Sequence, residues 1–83
     1  MIAITIYSRP GCHLCDAMKA TVQRAARASG APVTIEAIDI STDADLEARY
    51  GAEIPVLLVD GKKAAKYRVT EAEVTRMLRA RHG

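Results

Sequence analysis

The chain has 83 residues, 49% of them apolar and 27% charged, which fits a single domain spanning residues 1–83 and is too apolar for a disordered chain. Twelve basic residues against ten acidic ones leave a net charge of +2, far from the footprint of a dedicated nucleic-acid binder. No apolar run approaches the ~20 residues of a membrane span. Met1 leads directly into Ile2-Ala3-Ile4-Thr5-Ile6 without a basic start or a cleavage site, so a cytoplasmic protein with no membrane partner is expected.

Ile2, Ile4 and Ile6 alternate with Ala3, Thr5 and Tyr7, the period of two that marks a strand. Ser8-Arg9-Pro10-Gly11 breaks the pattern as a loop. From Cys12 the period lengthens, with Leu14, Met18, Val22 and Ala25 on one stripe, which predicts an amphipathic helix stopped by Gly30 and Pro32. Val33 to Ile38 is rich in β-branched residues and reads as a second strand, and Asp39 to Asp43 as a polar turn. Thr42 and Asp45 have the spacing of a capping box, opening a short helix through Leu46 and Tyr50 that ends near Gly51.

Ile54-Pro55-Val56-Leu57-Leu58-Val59 is almost wholly apolar, as befits a central strand covered on both faces. Asp60-Gly61 is a strong hairpin signal, returning the chain antiparallel as an edge strand over Lys62 to Arg68. Lysines 62, 63 and 66 on that edge discourage pairing with other chains. Thr70 and Glu73 form a second capping box, and Val74, Met77 and Leu78 give the last helix its buried stripe. His82, beside Arg81, reads as an exposed terminal residue. The order β-α-β-α-β-β-α predicts an α/β fold, a four-stranded mixed sheet with helices on both faces, built on a right-handed parallel βαβ unit.

Two cysteines three positions apart close almost no loop, so a bridge between them adds little stability. In a reducing compartment such a pair reacts or binds metal. Cys12 falls at or beside the helix N-cap, where free N–H groups and the positive end of the helix dipole favour a thiolate. Cys15 lies one turn on, within reach of a disulfide. Cys12 is therefore the expected nucleophile and Cys15 the partly buried resolving thiol. Arg9 and a protonated His13 add to the positive field at Cys12, and Asp16 opposes it. A cation at His13 stabilises the reduced pair, placing its potential nearer roughly −200 mV than −270 mV.

A proline opening a central strand is anomalous, because it donates nothing to the ladder. Two explanations fit Pro55: a first-residue proline after the Gly51 turn, or a cis Ile54-Pro55 bond that turns the Ile54 backbone outward beside Cys12. In the second, Ile54 is free to pair with an extended substrate as an added strand.

The run Tyr7-Ser8-Arg9-Pro10-Gly11-Cys12-His13-Leu14-Cys15 resembles the active-site segment of glutaredoxins and related small redoxins of the thioredoxin fold. Ile54-Pro55-Val56 resembles their cis-proline segment and Asp60-Gly61 their hairpin, so the resemblance spans essentially the whole chain. It implies a dithiol–disulfide oxidoreductase in which Cys12 attacks, Cys15 resolves and Pro55 flanks the substrate. Arg9 stands where glutaredoxins carry a lysine that meets the glutathione carboxylate.

The sequence departs from that family at three places. His13-Leu14 replaces the common Pro-Tyr, Glu53-Ile54 replaces Thr-Val, and Tyr67-Arg68-Val69-Thr70-Glu71 lacks the Gly-Gly turn that grips the γ-glutamyl end of glutathione. A flavoprotein of the thioredoxin-reductase kind therefore stands beside glutathione as the expected electron donor. The expected partners are disulfide-containing proteins or small molecules, acted on by a monomer with no bound cofactor and glutathione as a co-substrate. The rival reading is a metal or iron–sulfur module. Cys12, Cys15 and His13 are too few ligands for a closed site, so it requires a dimer or glutathione thiols. No metal ligands are assigned, since Asp39 and Asp43 have no clustered partners.

Overall fold

The computed structural model describes residues 1–82 of the chain, with side chains as far as Arg81; the predicted exposure of the His82 side chain lies outside what is described. The first strand, β1, is Ile2–Ser8, followed by helix α1 (His13–Ser29) and strand β2 (Val33–Asp39). A 3-10 turn over Ile40–Thr42 leads to helix α2 (Ala44–Tyr50), then strands β3 (Val56–Val59) and β4 (Lys62–Lys66) and helix α3 (Glu71–His82). The strand order is β2-β1-β3-β4, with β1 and β2 parallel and the other two pairings antiparallel. This is the mixed four-stranded sheet that the element order predicts.

The period-two pattern decides which face each helix covers. Ile2, Ile4 and Ile6 point to one side, where they join Met18, Val22 and Ala25 of α1, Val74 and Leu78 of α3, and Leu57 and Val59 in one buried cluster. The alternate residues point to the other side. There Tyr7 meets Tyr50 of α2 with ring centroids 4.8 Å apart, and Ile40, Val56 and Leu58 are buried outside the main cluster. Helices therefore cover both faces, two on one side and the short α2 on the other.

The hairpin and the last helix form as their residues predict. Asp60 and Gly61 have φ of 50° and 83°, the pair of positive values that a type I′ turn needs. Thr70 and Glu73 exchange reciprocal bonds, Thr70 N–H to Glu73 Oε1 at 2.9 Å and Glu73 N–H to Thr70 Oγ1 at 3.1 Å. The Thr70 amide holds the Glu73 carboxyl below its usual pKa.

Four local expectations are corrected. The N-cap of α2 is Asp43, whose Oδ1 accepts from the amides of Asp45 and Leu46. Thr42 is drawn out of that role because Asp39 captures the Ser41 amide at 2.9 Å and closes a separate 3-10 turn one residue earlier. Inside that supposedly polar turn Ile40 is fully buried. Leu14 is 39% exposed and Cys15 takes the buried position in its place, because Cys15, Met18, Val22 and Ala25 share one helical face and Leu14 lies one position off it. Finally, β4 stops at Lys66 rather than Arg68, since Tyr67 has φ of 68° and bends the chain away. Its ladder carries a bulge between the Leu57 and Leu58 pairings, which leaves Ala64 as the extra residue.

Candidate active site

The site is built at the end of the sheet where β1 finishes and β3 begins, fixed by the pairing of Tyr7 with Val56. Past Ser8 the chain must reverse within four residues to start α1 at His13. Gly11 does this at φ of 75°, a conformation that a side chain at this position would resist. Cys12 is then extended, at φ −89° and ψ 107°, and caps α1 with its side chain: Sγ accepts the Cys15 amide at 3.1 Å. A sulfur is an unusual cap. In the reduced protein the same amide and the positive helix end bear on Cys12 and favour its thiolate.

Cys12 is half-buried, whereas Cys15 is only 4% exposed. Their Cα atoms lie 5.2 Å apart and their sulfurs are joined in a disulfide, inside the range that a bridge accepts without backbone movement. His13, the first residue of α1, is exposed, as is Asp16 one turn in. Neither forms an ion pair among the described residues.

The Ile54-Pro55 bond is cis, the second of the two arrangements that the sequence allows. Pro55 is buried, and its carbonyl accepts the Tyr67 amide at 2.8 Å. Ile54 is half-buried, and neither its N–H nor its C=O has a hydrogen-bond partner among the described residues. The structure thus brings Cys12, Cys15, Ile54 and Pro55 to one end of the sheet. Arg9 sits on the same loop as Cys12 but turns to α2. Its guanidinium is paired with the Glu47 carboxylate, and Nη2 also donates to the Gly51 carbonyl at 3.0 Å.

A shallow groove of about 180 Å³ opens beside the cysteines, between Leu14, Ala17, Met18 and Thr21 of α1 and Tyr67, Arg68 and Val69. Tyr67 was not singled out as a site residue from the sequence. It is 44% exposed, and its hydroxyl donates to the Ala52 carbonyl at 3.2 Å. The available signals were an apolar Leu14 between two cysteines and the departure from the glutaredoxin pattern at Tyr67-Arg68-Val69. Glu53, next to Ile54, is paired with Lys63 across the hairpin. That lysine holds the Glu53 carboxyl below its usual pKa. Among the described residues no group of three or more His, Cys, Asp or Glu side chains is gathered to hold a metal. Among them, too, no helix is long and apolar enough to cross a membrane.

Known proteins share this fold. A protein from X. campestris shares 28% identity, with 93% of this chain and 96% of that one covered and a TM-score of 0.69. A protein from Nitrosomonas europaea is 25% identical over 93% of this chain and 91% of that one, with a TM-score of 0.78. A thioredoxin from Halobacterium salinarum, 17% identical, matches 99% of this chain and 75% of its own at a TM-score of 0.66, which shows the fold alone. Among curated proteins none matches. A thioredoxin-like fold carrying a CxxC supports a redox function. The family model "Glutaredoxin-like domain (DUF836)" matches residues 3–79, and the chain belongs to that family.

Proposed function

We propose that the protein is a dithiol–disulfide oxidoreductase that reduces disulfides of proteins or small molecules through Cys12 and Cys15. The observation that carries this reading is the inequality of the two sulfurs. One is half-buried at a helix N-terminus and the other is nearly inaccessible beneath it, with Cα atoms 5.2 Å apart.

In the reduced protein the Cys12 thiolate attacks one sulfur of a substrate disulfide. That S–S bond breaks, and the leaving thiolate takes the bonding pair and is protonated by water. Cys15 then gives up its proton and attacks the Cys12 sulfur, expelling the second substrate thiolate. The substrate gains two electrons and two protons, and the protein is left with the Cys12–Cys15 disulfide. Two electrons from glutathione or from a thioredoxin-reductase-like flavoprotein restore the dithiol.

Burial of Cys15 suits a thiol that meets only a sulfur already bound to Cys12, and it limits wasteful attack on other disulfides. The unpartnered amide and carbonyl of Ile54 are the groups that an extended substrate pairs with, and Pro55 fixes that segment beside the cysteines. His13, exposed on the first turn, places a cation near Cys12 when protonated and so favours the reduced state. The protein acts as a cytoplasmic monomer without a bound cofactor.

Single-cysteine variants test the mechanism. With reduced protein and a disulfide substrate, Cys12→Ser is expected to abolish exchange. Cys15→Ser is expected to stop at a mixed disulfide, visible as the added mass of half the substrate. Exchange that survives Cys12→Ser, or a Cys15→Ser variant that turns over without trapping, overturns the assignment.

A further inference from the structure

The Cys12 loop is not held by its own strand alone. Arg9 Nε donates to Glu47 Oε2 at 3.3 Å, Nη2 pairs with Glu47 Oε1, and the same Nη2 donates to the Gly51 carbonyl at 3.0 Å. A fork of this kind fixes direction as well as distance, because both carboxylate oxygens engage one planar group. The pair is half-exposed, with side-chain exposures of 37% and 39%, so its value in raw stability is small.

Its placement matters more. One guanidinium ties three segments: the loop that ends in Cys12, the body of α2, and the turn at Gly51 that runs directly into Glu53, Ile54 and Pro55. Gly51 makes room for it. Its φ is −55°, so no left-handed conformation calls for glycine there. A Cβ at this position, however, would lie 2.7 Å from Arg9 Nη2 and collide with the Glu47 carbonyl.

We propose that Arg9, Glu47 and the bare backbone of Gly51 form a positioning clamp, which holds the attacking Cys12 in register with the substrate-pairing backbone of Ile54. This rests on the oxidoreductase reading above and adds to it. Arg9 is a positioning residue rather than a contact for an anionic substrate, since its charge is paired with Glu47 and its Nε and Nη2 already donate to Glu47 and Gly51. Glu47 is as necessary as Arg9, although it lies on a helix that contributes no group to the reaction. Loosening the clamp lets the two walls of the site drift apart, and misplacement by a fraction of an ångström to an ångström costs rate on any substrate.

The test is a single-turnover rate of exchange between reduced protein and three disulfides of different charge: glutathione disulfide (anionic), 2-hydroxyethyl disulfide (neutral) and cystamine (cationic). Arg9→Ala, Arg9→Lys and Glu47→Gln are each expected to slow all three by about tenfold or more and by a similar factor. The Arg9→Ala/Glu47→Gln double variant is expected to be no slower than either single one, as for two residues acting as one unit. Gly51→Ala keeps both charges and is expected to show the same uniform loss. Variants are compared only where circular dichroism shows them folded, and the lysine and glycine variants carry the test if Arg9→Ala is not.

A loss confined to glutathione disulfide and rescued by Arg9→Lys overturns the clamp in favour of a substrate contact. A faster Glu47→Gln enzyme overturns it in favour of a caged charge, and unchanged rates in all variants overturn it outright. If the wild-type protein exchanges with none of the three, it is the oxidoreductase reading that fails.

Discussion

The two ends of the sheet treat their polar groups in opposite ways. At the hairpin end the groups are paired. The Asp60 amide donates to the Ala3 carbonyl at 2.7 Å, Asp60 Oδ1 accepts the Ala3 amide at 2.9 Å, and Arg81 donates twice to Asp60 Oδ2, at 2.6 and 2.9 Å. One carboxylate there joins the turn, the first strand and the last helix. At the cysteine end the Ile54 amide and carbonyl have no partner among the described residues, and a half-buried sulfur serves as the helix cap. Both ends rest on the same buried cluster. The contrast is therefore local. One end completes its own hydrogen bonding, while the other leaves backbone groups unpaired, which suits the substrate pairing proposed for Ile54.

The comparison assumes that both ends belong to one cooperative unit. Leu57, wholly buried between them, tests this: Leu57→Ala is expected to destabilise the protein by about 2–5 kcal/mol. Near-ultraviolet and far-ultraviolet signals should show one shared transition in urea. Separate transitions for the two ends would break the comparison. A second prediction concerns the cysteine end alone. In the reduced protein, brief treatment with iodoacetamide is expected to label Cys12 at least about tenfold faster than Cys15, as read by peptide mass spectrometry. Equal labelling would remove the distinction between attacking and resolving sulfur.

At the hairpin end the prediction is a pH dependence. The Asp60 carboxyl is held below its usual pKa, first by the Ala3 amide and then by Arg81. A group whose folded pKa is depressed contributes stability above its unfolded value and loses it as pH falls through the folded one. Thermal unfolding midpoints should therefore drop as pH falls below about 4. Asp60→Asn should flatten that limb and leave the exchange rate unaltered. An Asp60→Asn protein with an undiminished acid limb contradicts the role given to this carboxylate; Glu53, Glu73 and Asp39, also shifted downward, set the remainder. The smallest effect is at His13. Replacing the imidazole by His13→Ala is expected to make the pair slightly more reducing in a glutathione titration. A shift in the opposite direction would assign the tuning elsewhere.

What the sequence made legible was decided by neighbours in the chain. The alternation of Ile2, Ile4 and Ile6, the Asp60-Gly61 turn, the Thr70–Glu73 box and a cysteine at the head of a helix all depend on contacts within a few residues, and they form as read. Ile40 was hidden because its surroundings are polar in sequence, although it is fully buried in space. The cap of α2 moved from Thr42 to Asp43 through competition between two adjacent turns, which a spacing rule does not resolve. Arg9 with Glu47, 38 positions apart, and Tyr7 with Tyr50 meet only because α2 folds back over the sheet. The same holds at the site: Cys12 and Cys15 were readable from their spacing, whereas Tyr67 joins them only through the positive φ that ends β4.

The central claim is that Cys12 and Cys15 cycle between dithiol and disulfide. It is tested most directly by equilibrating the protein in glutathione buffers of graded potential, trapping free thiols by alkylation and weighing the intact chain. The account predicts a reversible interconversion between a doubly alkylated form and an unalkylated disulfide form, with a midpoint between roughly −180 and −270 mV. A chain that stays fully alkylated, or fully unalkylated, across that range would contradict it.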